Sequence, residues 1–382
     1  MKRLLKIIIP IFGICIFVFG FSFLSYATEL DSLIPSDAWD GFEESIPKSA
    51  EEYFTDGAFS DEESFLLAIE EMTAPKAIVN VILRLFGIEA ETTCKLLLLL
   101  SGVILISSIF SIIAEQSENK TLRAVMRFLS LSTLFSSVGY VLYSHFERLE
   151  EFFSQIAVLI NGMIPVTASI WALGGNVTTA TAGSATLYCF LNVFERLWAT
   201  SALPIFALLL MLGFCDVLCT ELKSGRIVAT VKRIYGFLLG LSMTVLLSSL
   251  AAQTTLTAVA DSVSARTGRF VSSTVIPIVG GNLGEALRTV ASSVRYLKSI
   301  FGIGGIIIIA LLVLPMAISL LLTRFVFCIS STFADILGCN EESKLLASFS
   351  EAYGCMLAVV CGVGMMFVLS LCIFMKTLIA VE

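Results

Sequence analysis

The sequence predicts an all-α polytopic membrane protein. About six full transmembrane helices and two broken or re-entrant helix pairs form a tandem repeat, after a signal peptide and a short helical exported segment. Three observations predict this. Apolar residues fill 57% of the 382 positions and charged residues only 14%, against roughly 45–50% and 25% in a soluble domain. Several uncharged runs are long enough to cross a bilayer, which needs about 20 apolar residues. The basic residues between those runs gather in alternate loops, as the positive-inside rule requires.

At the amino terminus, Lys2, Arg3 and Lys6 precede an uncharged run from Ile7 to Ala27 that closes on Ser25-Tyr26-Ala27. Basic start, apolar stretch and small-x-small site describe a secretory signal peptide, although Ile7–Leu24 is also long enough for an uncleaved anchor. Either way residue 28 emerges outside the cytoplasm. Residues 28–91 hold sixteen of the 31 acidic residues against only Lys48, Lys76 and Arg84. Short helices are expected near 48–55, 61–72 and 75–87. A segment this small hardly holds a core alone, so it is expected to pack on the outer face of the membrane body or on a partner. Its acidity argues against lying on anionic lipid, and it lacks EF-hand spacing. No basic run exists anywhere, which argues against nucleic-acid binding.

The membrane body is expected over 92–382. Leu96–Ala114 runs inward to a basic loop with Lys120, Arg123 and Arg127, and Phe128–Ser144 returns outward to an acidic loop, His145 to Glu151. Phe152–Phe194 is then 43 residues without a charge, enough for a full hairpin or a re-entrant pair. Leu197–Cys215 leads inward to Lys223, Arg226, Lys232 and Arg233, and Ile234–Ala260 leads outward, with Gly236-x-x-x-Gly240 permitting a close helix crossing. A mixed stretch, 261–299, precedes the inward span Phe301–Thr323. Arg324 and Lys344 mark the cytoplasmic side, flanking an expected interfacial helix at Phe325–Leu337, and Ala352–Met375 is the last span.

An internal repeat is visible. Ile164-Pro165 is followed by Gly174-Gly175-Asn176 and then by Pro204; Ile276-Pro277 is followed by Gly280-Gly281-Asn282 and then by Pro315. The repeat units fall at about 120–220 and 224–340, with a half unit at about 344–378. Proline removes a backbone donor and glycine loosens a helix, and paired interruptions in matching segments point to a pathway or docking site, or merely kink the helices. Charges beside apolar runs add Glu195, Arg196, Glu285, Arg288 and Arg295, the last three on one helical face that lines an aqueous surface, a partner contact or the headgroup region.

Nothing points to catalysis. His145 is the only histidine and is expected at the outer interface. Gly183-Ser184 sits among the small residues common in helix contacts. Nine of the ten cysteines remain if the signal is cleaved, with no Cys-x-x-Cys or neighbouring histidine, so no metal and no cofactor is expected. No dinucleotide, Walker or zinc-protease motif occurs.

The chain resembles the stage III sporulation protein AE family of spore-forming Firmicutes. The resemblance covers about 95–378 and is strongest from Thr267-Gly268-Arg269-Phe270 through Ile276-Pro277-Ile278-Val279-Gly280, the amphipathic helix after it and the Pro315 span; it also touches Gly174-Gly175 and Pro204. It implies a mother-cell protein of the outer forespore membrane, a non-enzymatic subunit of a channel or secretion-like complex. The implied partners are the other stage III A-operon proteins, including an ATPase, ring-forming subunits and small membrane subunits. Two other readings stand beside it: a self-contained secondary transporter, and a structural scaffold recruiting partners through residues 28–91.

Overall fold

The structure, a computed structural model, describes residues 36–54, 58–59, 62–116, 120–173, 184–218, 227–246, 248–249, 252 and 280–376. The expected signal or anchor, Gly174, Gly175 and Pro277 lie outside these residues. The described chain folds as α1 (Ser36–Glu43), α2 (Lys48–Glu51), α3 (Glu62–Thr73), α4 (Pro75–Gln116), α5 (Lys120–Leu173), α6 (Ser184–Leu218), α7 (Ile227–Leu246), α8 (Gly280–Ile336) and α9 (Asn340–Lys376). The last six are long and apolar enough to cross a membrane. Each contains one of the expected spans, wholly or, for α7, in part.

Several boundaries differ from expectation, and for one reason: the helices are far longer than a bilayer is thick. α5 has 54 residues, about 80 Å at 1.5 Å per residue, against a hydrocarbon core of about 30 Å. The expected loop at His145–Glu151 is helix throughout. Leu142, His145, Leu149, Phe152 and Ile156 are all buried, so the inward stripe of α5 keeps its three-to-four residue period straight through the charged stretch. The 43-residue uncharged run is therefore not a separate hairpin or re-entrant pair. Its arms continue α5 and α6, which run antiparallel from Thr167–Tyr188 (2.7 Å) to Arg127 donating to the Val217 carbonyl (3.2 Å). Pro165 lies inside α5 on its exposed face, and Asn161, whose carbonyl loses a partner to the proline, is exposed too. Likewise Phe325–Leu337 is no interfacial helix: α8 continues through Arg324 to Ile336. The helix expected at 75–87 merges with the first span into α4.

The outer surface of the long helices is largely apolar, as membrane helices require. Leu98, Leu105 and Ile109 on α4, Leu122, Phe128 and Tyr143 on α5, and Phe325, Ile329 and Ile336 on α8 are exposed. On α5 this apolar face gives way to exposed Glu147, Glu150 and Glu151. Leu197, Leu208, Ile234, Phe237 and Leu241 extend the exposed apolar surface onto α6 and α7. Among the described residues, no atom lies within 4 Å of the place a Cβ on Gly236 or Gly240 would take. Inside, α9 is the most deeply buried of the six. The apolar stretches Phe301–Leu320 and Leu357–Leu371 are thus core, not lipid-facing surface.

The acidic amino-terminal helices pack on this bundle. Trp39 and Phe42 of α1, Phe65 of α3 and Phe301 of α8 form an aromatic knot with ring centroids 5.5–5.8 Å apart. Gly304 permits the approach, because a Cβ there would lie 2.5 Å from the Phe65 ring. At the opposite end, α8 turns into α9 through Gly338, whose φ is +78°. The Gly338 N–H donates to the Asp335 carbonyl (3.1 Å) and the Cys339 N–H to that of Ala334 (2.9 Å), the paired bonds of a Schellman cap. Gly338→Ala is expected to cost about 1–2 kcal/mol, the strain of a left-handed L-residue; an unchanged melting temperature in detergent would contradict this.

Candidate functional site

Four helices bring polar side chains together where α5 changes from an apolar to an acidic exterior. α5 supplies His145 and Arg148, three residues apart on its inward side. α4 supplies Glu89, α8 supplies Ser319 and Thr323, one turn apart, and α9 supplies Tyr353. All are buried except Arg148, whose side chain is half exposed.

The bonds of Arg148, Glu89, Ser319 and His145 can be assigned in turn. Arg148 donates to Glu89 Oε1 (2.8 Å) and to Ser319 Oγ (3.1 Å), and Ser319 donates to Glu89 Oε2 (2.8 Å). Both carboxylate oxygens are therefore satisfied, one by a charge-assisted bond. His145 Nδ1 lies 2.8 Å from the Val141 carbonyl. A carbonyl only accepts, so Nδ1 carries the proton and Nε2 is an acceptor. Nε2 lies 3.2 Å from Ser319 Oγ and 3.4 Å from Thr323 Oγ1. The single Ser319 proton is engaged with Glu89, so Thr323 donates to the ring. Tyr353 stands edge-on to the imidazole, centroids 5.2 Å apart, with its hydroxyl 3.3 Å from Nδ1. Beyond Tyr353 the packing is aromatic: Phe206 and Phe327 contact its ring, and Phe349 contacts Phe327. The polar chain opens at Arg148 and ends against these rings.

A second polar assembly closes the far end of the bundle. Arg127 of α5 pairs with Glu341 at the start of α9, while Ser130 donates to Glu342 and lies 2.8 Å from Ser107 of α4. Between α4, α5 and the α8–α9 turn opens a cleft of about 740 Å³. A further ion pair joins Lys232 of α7 to Glu351 of α9.

Among the described residues, the expected site residues fall on α5, α6 and α8. Pro165 and Pro204 are exposed on α5 and α6, and Pro315 is partly buried inside α8. Glu195 is buried and Arg196 exposed on the α6 arm of the long hairpin. Gly280, Gly281, Glu285, Arg288 and Arg295 fall in the first turns of α8, their side chains outside the described residues. Sequence reasoning missed Glu89, Arg148, Ser319, Thr323 and Tyr353 and misplaced His145 in a loop. The available signal was the inward period of α5, which places His145 between Leu142 and Leu149. Among the described residues no group of three or more His, Cys, Asp or Glu can hold a metal.

Comparison with known proteins places these helices. A family model described as Stage III sporulation protein AE matches residues 62–377. Over 276 residues the chain is 22% identical to the Stage III sporulation protein AE of Bacillus subtilis (strain 168), covering 71% of this chain and 69% of that protein. Neither description names a reaction. No solved structure matches.

Proposed function

We propose, because the chain belongs to the Stage III sporulation protein AE family, that it is a non-enzymatic integral membrane subunit of the stage III channel or secretion-like complex between mother cell and forespore. In this reading it sits in the outer forespore membrane with residues 28–91 facing the intermembrane space, and it works with the other stage III A-operon proteins: an ATPase, ring-forming subunits and small membrane subunits. The observation that carries the reading is that the family match, 62–377, takes in the six membrane-length helices found among the described residues.

The geometry favours an assembly subunit over a self-contained permease. The buried polar chain from Arg148 ends at Tyr353 against Phe206 and Phe327. It serves better as a fixed joint, holding α4, α5, α8 and α9 in one register. The tandem repeat then pairs α5–α6 with α7–α8, and the segments around Pro165 and Pro277 are docking sites for partners. Deleting the gene in its host should abolish mature spores, and the tagged chain should co-purify with the operon partners. Wild-type spore yield, or solute flux by the chain alone in liposomes, would overturn the proposal.

A further inference from the structure

We propose that the cleft at the α8–α9 turn binds the headgroup of a zwitterionic phospholipid bearing a phosphate and a primary ammonium. The inference rests on the helices spanning a membrane. The cleft, of about 740 Å³, falls within the size of ordinary ligand sites. Its charged lining is balanced: Arg123 and Arg127 from α5, Glu341 and Glu342 from α9. A purely anionic headgroup would meet the two glutamates, and an uncharged one would use none of the four. A zwitterion uses both signs, and the Arg127–Glu341 pair already sets a cation beside an anion.

Position argues the same way. Phe110 and Phe128 line the cleft and are themselves exposed, continuous with the apolar band, so acyl chains would run along them while the headgroup entered. The cleft lies at the opposite end of that band from Glu147–Glu151, where Arg123 and Arg127 interrupt the exposed apolar face of α5, as at the depth of headgroups. Basic pockets between transmembrane helices on this side of a membrane are a known mode of headgroup capture. Here the glutamates narrow the choice to a headgroup that also donates.

The test uses full-length protein in mild detergent, with phosphatidylethanolamine, phosphatidylglycerol or phosphatidylcholine added separately. Lipid retention is read by native mass spectrometry and stability by the thermal midpoint. Phosphatidylethanolamine should be retained best and raise the midpoint by several degrees, as a ligand selective for the folded state does. Arg123→Gln and Glu341→Gln should each lose that retention severalfold. The lipid-free midpoint of each variant, measured alongside, separates lost retention from a lost fold. Equal responses to all three lipids, a preference for phosphatidylglycerol, or undiminished retention in either variant would overturn the proposal.

Discussion

Phe65→Ala should destabilise the protein by about 3–5 kcal/mol, the usual cost of emptying a buried aromatic site. Phe65 is fully buried, with ring contacts to Trp39, Phe42, Phe59 and Phe301. Its ring also rests on the bare backbone of Gly304. The cavity cannot easily collapse, because α1, α3 and α8 hold its walls from three directions. Leu67, two positions on and 62% exposed, supplies the control: Leu67→Ala should stay within about 0.5 kcal/mol of wild type. The pair of variants bears on function. If α1 to α3 were only a recruitment arm, Phe65→Ala would abolish partner capture without lowering the melting temperature of the isolated chain. The knot instead makes the acidic segment part of the bundle, with its aromatic residues spent inside and its carboxylates left outside.

Much of this architecture was legible in the sequence. Uncharged runs and basic loops located six spans and their alternating directions, because lipid exposure and loop charge both leave marks in composition. Helix length left a subtler mark. Glu147, Arg148, Glu150 and Glu151 read as a loop when charge is counted, yet the period of Leu142, His145, Leu149 and Phe152 runs through them unbroken. Apolarity also had two causes that a hydropathy window merges. The Phe301–Thr323 run is apolar because most of it is packed inside the bundle, whereas Phe325, Ile329 and Ile336 are apolar because they face outward. The candidate span of α8, Ile300–Ile336, therefore takes in both the buried run and the outward-facing one. The polar junction was illegible for a different reason: Glu89, Arg148 and Ser319 lie 59 to 230 positions apart, and no local pattern records a meeting at that separation.

That junction sets the second large effect. Arg148→Leu should cost about 2–3 kcal/mol. Removing one partner of a buried ion pair usually costs about 3–5 kcal/mol, since the remaining charge is stranded. The Arg148 side chain is 50% exposed and that of Glu89 11%, so water reaches one side of the pair and the lower figure applies. Ser319 would keep one bond to Glu89 Oε2 while Oε1 lost its donor. Glu89→Gln alone should be milder, about 1 kcal/mol, because Arg148 can turn outward. Once the carboxylate is neutral, deleting the guanidinium strands nothing, so the double variant should be more stable than Arg148→Leu alone and show positive coupling in a double-mutant cycle. Unfolding midpoints of the four detergent-solubilised proteins measure this. If Arg148→Leu melts like wild type, the ion pair is a solvated surface contact rather than the joint of four helices. If it melts lower but the double variant melts lower still, the cost lies in lost packing of the arginine stem and not in a stranded charge. A stabilising joint also predicts that spore yield across the four variants follows their midpoints, because a rigid register is all the junction supplies.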